Sequence, residues 1–240
     1  MCGVNGIFIK GKAGLYRNQV EKMNYILRHR GPNDEGIFSD NDVVLGHRRL
    51  SIIDLSSRGK QPMSDSDERI WVTFNGEIYN YHDLKQTLES KGHRFRSDSD
   101  TEVIIYGYKE WGAGIFSRLE GMFAIALWDK DNKELLLGRD ACGIKPLFYS
   151  ISQKGFVFSS EIKGILVSGL VEANLEPQSL SNFLSLFYIP SPETIIKNIK
   201  QIPPGYFIRL RDHNRLEFVQ FWKLENKMQL ISHESVSSRL

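Results

Sequence analysis

Apolar positions recur along this chain with two different periods, and those periods divide it into helices and strands. Val4 to Ile9 is a short β-branched run that predicts a strand almost at the first residue. Asn18 to Arg28 places Val20, Met23, Ile26 and Leu27 at helical spacing and breaks at Gly31-Pro32. Val43 to Gly46 and Ile70 to Phe74 read as buried strands. Asn80 is positioned to cap a helix over Tyr81 to Lys91 that stops at Gly92. Ser99 or Asp100 caps another over Thr101 to Trp111, stopped by Gly112. Strands follow over Met122 to Trp128, Glu134 to Gly138, Leu147 to Ser150 and Phe156 to Ser159, separated by DKDN, GRDACG and SQKG. Helices thus alternate with groups of strands, not with single strands. That pattern predicts an α+β chain, with helical layers on stacked, mainly antiparallel sheets.

Past Gly169 the texture changes. Glu176-Pro177 precedes a helix over Gln178 to Phe187, then comes the proline-punctuated IPSPETIIKNIKQIPPGYF, then strand-like runs over Tyr206 to Leu210 and Leu216 to Phe221. The last residues, HESVSSRL, read as the first turns of a helix without a stop signal. The expected division is a main domain over 2–170, its remainder and a connection over 171–225, and the start of a linker helix over 226–240. A second catalytic domain is expected beyond.

Composition narrows the class. With 240 residues, 41% hydrophobic and 25% charged, the chain can bury a sizeable core. A net charge of +2 without basic blocks gives no reason to expect nucleic acid or an anionic membrane as partner. Met122 to Trp128 is far too short to span a bilayer, and no signal peptide is evident. Two cysteines, Cys2 and Cys142, are too few for a disulfide scaffold, so a reducing cytoplasm is the expected setting.

Cys2 is the first point of chemistry. Removal of Met1 would leave a thiol and a free α-amine on one residue. That amine titrates near pKa ~8, so a usable fraction can act as base at neutral pH. Read alone, Cys2 is more simply a small buried residue at the start of a strand; a thiol–imidazole pair with His29 or His47 ranks below that reading. In FNGEIYNY, a strand ending at Phe74 and broken by Asn75-Gly76 presents a side-chain amide and a backbone N–H together, as an oxyanion hole requires. The same dipeptide is also the strongest hairpin signal. Arg49, in GHRRLSIIDLS, has the fork that captures a carboxylate, and Asp100, in SDSDTEVI, could accept an ammonium. A solvated arginine and an N-cap aspartate are the plainer readings. Cys142 reads as a turn cysteine without a role.

Together the motifs MCGVNGIF, RHRGPNDEG, GHRRLSIIDLS, GKQP, NGEIYNY, SDTEVI, LEGMFAIALWD and LLLGRDACGIKPLFY, in this order, closely resemble the glutaminase domain of asparagine synthetases. Those are class II, or N-terminal nucleophile, glutamine amidotransferases. The resemblance implies a four-layer αββα sandwich and glutamine hydrolysis through a Cys2 thioester. It also implies an oxyanion hole at Asn75 and Gly76, carboxylate binding by Arg49, and Asp100 and Glu77 around the amino end. Backbone groups near Leu50, Ile52 and Ile53 would complete the pocket. ATP and magnesium are implied only for a C-terminal synthetase domain, whose SGG-type loop does not occur in this sequence. No cofactor or metal is expected in the glutaminase part. Family members are often homodimers, and no interface signature is visible here. Asparagine from aspartate is the implied end product. A sugar acid as acceptor, a non-catalytic module and a stand-alone acylase are the alternatives.

Overall fold

The computed structural model describes residues 1–224, apart from Ile53, Leu55, His213 and Asn214; the expected linker helix over 226–240 lies outside the described residues. Among the described residues, twelve strands form two six-stranded sheets in which every ladder is antiparallel. The first sheet runs β10 (Ile199–Gln201), β8 (Phe148–Ser152), β9 (Gly155–Ser159), β1 (Gly3–Phe8), β3 (Val43–Arg49), β2 (Asp34–Ser39). The second runs β12 (Arg215–Gln220), β11 (Tyr206–Asp212), β7 (Glu134–Arg139), β6 (Gly121–Asp129), β5 (Ile70–Ile78), β4 (Met63–Ser64).

Strand alternation sorts the apolar residues into three core layers. On β1, Val4 and Phe8 pack between the sheets with Leu45, Ala126, Trp128, Leu137 and Ile208. Ile7 and Ile9 point the other way, against Val20 and Met23 of α1 (Arg17–Ile26) and Ile165 of α4 (Ile162–Val167). Beyond the second sheet, Val72, Phe74, Ile125 and Phe207 pack on α2 (Tyr81–Ser90) and α3 (Thr101–Trp111). Three apolar layers separate four structural ones, which is the expected αββα sandwich.

Most predicted elements are present within a residue or two. The strands β2, β4 and β10 and the helix α4 were not predicted, being short or lacking clear alternation. One expectation is corrected. Asn75-Gly76 does not break its strand: β5 continues to Ile78, paired with β6 throughout. Gly76 is needed there for close approach, because a Cβ would lie 2.1 Å from the Met122 carbonyl oxygen. The helix α5 (Pro177–Leu186) opens with proline in its first turn, as expected, and leaves Leu184 and Phe187 exposed.

Candidate active site

Cys2 immediately precedes β1, which lies inside the first sheet between β3 and β9. Continuing the alternation of Val4 and Phe8, its side chain turns into the space between the sheets. The thiol is cradled by one residue: the Leu50 N–H donates to Sγ at 3.4 Å, and the Leu50 carbonyl lies 3.7 Å from Sγ. Burial pushes the thiol above its ordinary value, opposed by the Leu50 N–H. The backbone at Cys2 is pinned as well. Arg30 Nε donates to the Cys2 carbonyl at 2.9 Å while its Nη1 binds Glu161 at 2.9 Å. Burial would raise the Glu161 carboxyl, yet hydrogen bonds from Arg30, His29 and Lys163 hold it down at about 2. Arg30 escaped the sequence reading because RHRGP shows only a short basic run; the Gly31-Pro32 stop after a helix was the available signal.

Neither histidine is set against the thiol. His29 bonds Glu161 at 2.9 Å near the surface. His47 is buried between the sheets, its Nδ1 2.9 Å from Thr73 Oγ1, and burial plus the Arg49 and Arg48 charges lower it to about 3. It is a neutral ring with Thr73 as its partner.

A cavity of about 120 Å³ opens beside Cys2, lined among others by Arg49, Leu50, Ile52, Asn75, Gly76, Glu77 and Asp100. Every expected site residue that is described thus meets in one place; Ile53 lies outside the described residues. Arg49 is buried, and its guanidinium donates to the carbonyls of Ser56 and Asp54, tying down the following loop. Two of its five N–H groups are used in this way, which leaves donors for a ligand carboxylate. Gly59 makes room for it, since a Cβ there would sit 2.3 Å from Arg49 Nη2.

The second wall is the free edge of β5. The short strand β4 covers β5 only at Val72 and Trp71, so further along that edge has no strand neighbour. The Phe74 N–H is taken by Gln61 Oε1 at 2.6 Å and the Ile78 N–H by Asp100 Oδ2 at 3.0 Å. Alternation turns the Gly76 N–H to this same edge, between those two, and open to the cavity. On the face between the sheets, Asn75 is buried and its Nδ2 has no hydrogen-bond partner among the described residues. An unpaired buried donor costs about 1–3 kcal/mol, so its retention beside a thiol points to a ligand that completes it. Gln61, in the GKQP motif, is a second missed residue: its Nε2 also reaches Thr101 Oγ1 at 3.1 Å, bracing β5 against α3.

Asp100 stands at the N-terminus of α3 without capping it. Ser99 Oγ accepts from the Thr101 N–H at 3.2 Å instead, which frees the Asp100 carboxylate for Ile78 and the cavity. Burial raises its carboxyl to about 6, with the Glu77 charge adding to the rise and the Ile78 N–H opposing it. Across the cavity, Arg49 and Asp100 face the Cys2 thiol and the N–H donors of Asn75 and Gly76. A larger cavity of about 360 Å³ lies beyond Gln61, lined by Arg58, Lys60, Arg96 and Glu102, and contains no thiol. Among the described residues no group of three or more His, Cys, Asp or Glu side chains could hold a metal ion.

Residues 1–222 match the family model of the glutamine amidotransferase domain. The chain belongs to that family. This glutamine amidotransferase domain is 38% identical over 230 residues to asparagine synthetase [glutamine-hydrolyzing] 1 of Bacillus subtilis, covering 95% of this chain and 36% of that protein. It is also 38% identical over 220 residues to a putative asparagine synthetase of Methanocaldococcus jannaschii, covering 82% and 42% of the two chains. Amidase chry2 of Gibberella zeae is 34% identical, over 94% of this chain and 35% of that one. The amidotransferase domain thus spans between a third and about two fifths of these relatives' lengths. Its fold matches glutamine phosphoribosylpyrophosphate amidotransferase from B. subtilis with a TM-score of 0.68 at 19% identity, over 94% of this chain and 50% of that one. No helix among the described residues is long and apolar enough to cross a membrane.

Proposed function

We propose that this domain hydrolyses glutamine to glutamate and ammonia, with Cys2 as an N-terminal nucleophile exposed by removal of Met1. The unpartnered Asn75 amide, buried beside the Cys2 cavity, carries this reading. Arg49 receives the α-carboxylate of glutamine, and Asp100 with Glu77 receives its ammonium. That orientation brings the γ-carboxamide carbon to Sγ. The terminal amine accepts the thiol proton, sulfur attacks the carbonyl carbon, and the negative oxygen is held by Asn75 Nδ2 and the Gly76 N–H. Removing one such donor typically raises the barrier by about 2.7–4 kcal/mol. The protonated amine returns its proton to the departing nitrogen, and ammonia leaves behind a glutamyl thioester. The same amine then deprotonates a water that attacks the thioester, giving glutamate and the free thiol.

The names of the bacterial and archaeal relatives, glutamine-hydrolysing asparagine synthetases, support delivery of the ammonia to a synthetase region that makes asparagine; aspartate as acceptor, with ATP and magnesium used in that region, completes the proposal. A second reading keeps glutamine hydrolysis and takes another carboxylate as the acceptor; that a fungal relative is named an amidase and not an asparagine synthetase supports an end product other than asparagine. A reducing cytoplasm suits a free catalytic thiol. The test is glutamate and ammonia release from glutamine by the processed protein. Wild type should turn over; Cys2→Ala, and protein carrying an uncleaved N-terminal extension, should not. Equal rates for wild type and Cys2→Ala would reject the thiol mechanism.

A further inference from the structure

The motif GRDACGIKP has no part in the mechanism above, yet it is built into the site with unusual rigidity. Asp140 is fully buried, and its two carboxylate oxygens accept four backbone N–H groups: Cys142 and Ile144 on Oδ1, Phe123 and Lys145 on Oδ2. Arg139, also buried, donates to the carbonyls of Lys145, Ile202 and Gly143 at 2.9, 2.8 and 2.6 Å. This arginine–aspartate frame fixes the turn that delivers Lys145.

The Lys145 side chain lines the same cavity as Met1 and Cys2. The residue is only 6% exposed, and among the described residues its ammonium has neither a hydrogen bond nor an ion pair. A lysine serving only to pack would be replaceable by an apolar chain, so a buried stem that carries an unpartnered ammonium into this cavity calls for a role for the charge. Resting on the glutaminase reading, we infer that Lys145 is a positioning residue of this site, whose fixed positive charge beside the N-terminus keeps the terminal amine uncharged and so available as the base. The groups around the N-terminus agree with this. In the chain that still carries Met1, burial lowers the Met1 amine below its ordinary value, Arg30 and Lys145 press the same way, and the Cys2 sulfur opposes them; the Cys2 amine bared by removal of Met1 lies in the same cavity as Lys145. Further out, the cavity walls carry Arg49 against Asp54, Glu77 and Asp100.

The sign of the effect follows. Without the Lys145 charge the amine protonates more readily, so less base remains in mildly acidic solution, while alkaline solution restores it. Lys145→Met keeps the stem and removes the charge. The glutamine kcat/KM of this variant should fall roughly ten-fold at about pH 6.5 and less than about two-fold at about pH 9, with Lys145→Arg close to wild type. A loss equal at both pH values, or an unmoved profile, overturns the inference. A second readout needs no turnover: the pH dependence of Cys2 alkylation by iodoacetamide, in a Cys142→Ser background because Cys142 is exposed. Labelling near neutral pH should slow several-fold in Lys145→Met; an unchanged labelling profile rejects the role of Lys145. If wild type shows this labelling behaviour but releases no glutamate, the glutaminase reading fails and the electrostatic role stands. Should Lys145→Met not fold, Lys145→Gln carries the same comparison.

Discussion

Asp100 shows how a single side chain serves the site at the expense of the fold. Its carboxyl, raised to about 6 from an ordinary value of 3.8, binds a proton more tightly in the folded chain than in the unfolded one. Protonation therefore stabilises the fold fully below about pH 4, and that contribution disappears as pH rises through 6. At neutral pH the buried charge is a burden. Asp100→Asn, which keeps an acceptor for the Ile78 N–H, should increase stability at pH 7 by up to about 2 kcal/mol in denaturant titrations, with no gain at pH 4. The same variant should raise the KM for glutamine, and wild-type KM should climb as pH falls below 6. A variant destabilised at pH 7 would contradict this account. Gly59 makes the converse point about a residue that has no side chain to offer a ligand. Gly59→Ala pushes a methyl into Arg49 Nη2, which must then move away from the carboxylate position. A KM increase of about ten-fold with kcat nearly unchanged is the expected outcome in steady-state kinetics.

Among the elements, β5 is the one whose path was misread. Asn-Gly signals a hairpin on local grounds, but pairing with β6 from Ile70 to Ile78 holds the strand straight, and only a long-range partner could do so. The consequence is chemical. A turn would have aimed the two donors by its own geometry, whereas the strand edge spaces them by alternation and leaves the Gly76 N–H between two occupied neighbours. The contact between β3 and β5 has its own signature in acid. His47, lowered to about 3 by burial, stays neutral in the fold while the unfolded chain takes up a proton near pH 6.5. Its stabilising contribution is complete above 6.5 and is lost as pH falls towards 3. The urea midpoint should therefore drop between pH 7 and pH 4, and His47→Gln should flatten that slope. An identical slope in the variant would remove His47 from the explanation.

For the whole molecule, the strands after residue 170 are structural members of both sheets. β10 extends the first through β8, and β11 extends the second through β7. Phe207 joins the helix-side core, while Ile208 and Leu210 join the core between the sheets. Each fully buried side chain of this size contributes about 1.5–3 kcal/mol, so losing all three approaches the whole stability of a typical domain. A chain ended at Pro204 should show no cooperative thermal unfolding by circular dichroism. A cooperative transition near that of the full chain would mean that the sandwich closes without β11.

Local pattern was sufficient for the helices α1, α2, α3 and α5 and for the longer strands, because amphipathic period and stop residues are properties of adjacent residues. Residue type made Cys2, Arg49, Asn75, Gly76 and Asp100 candidates, each with a plainer local reading, and only the resemblance of the ordered motifs to a glutaminase domain grouped them into one site. Which groups face the cavity was decided elsewhere. That Arg30 grips the Cys2 carbonyl, that Ser99 caps α3 in place of Asp100, that Asn75 keeps a free donor and that Lys145 stands unpaired beside the N-terminus all depend on residues distant in sequence. Hydrogen bonding and burial are properties of neighbours in space, and the chain acquires those neighbours only when its two sheets close on each other.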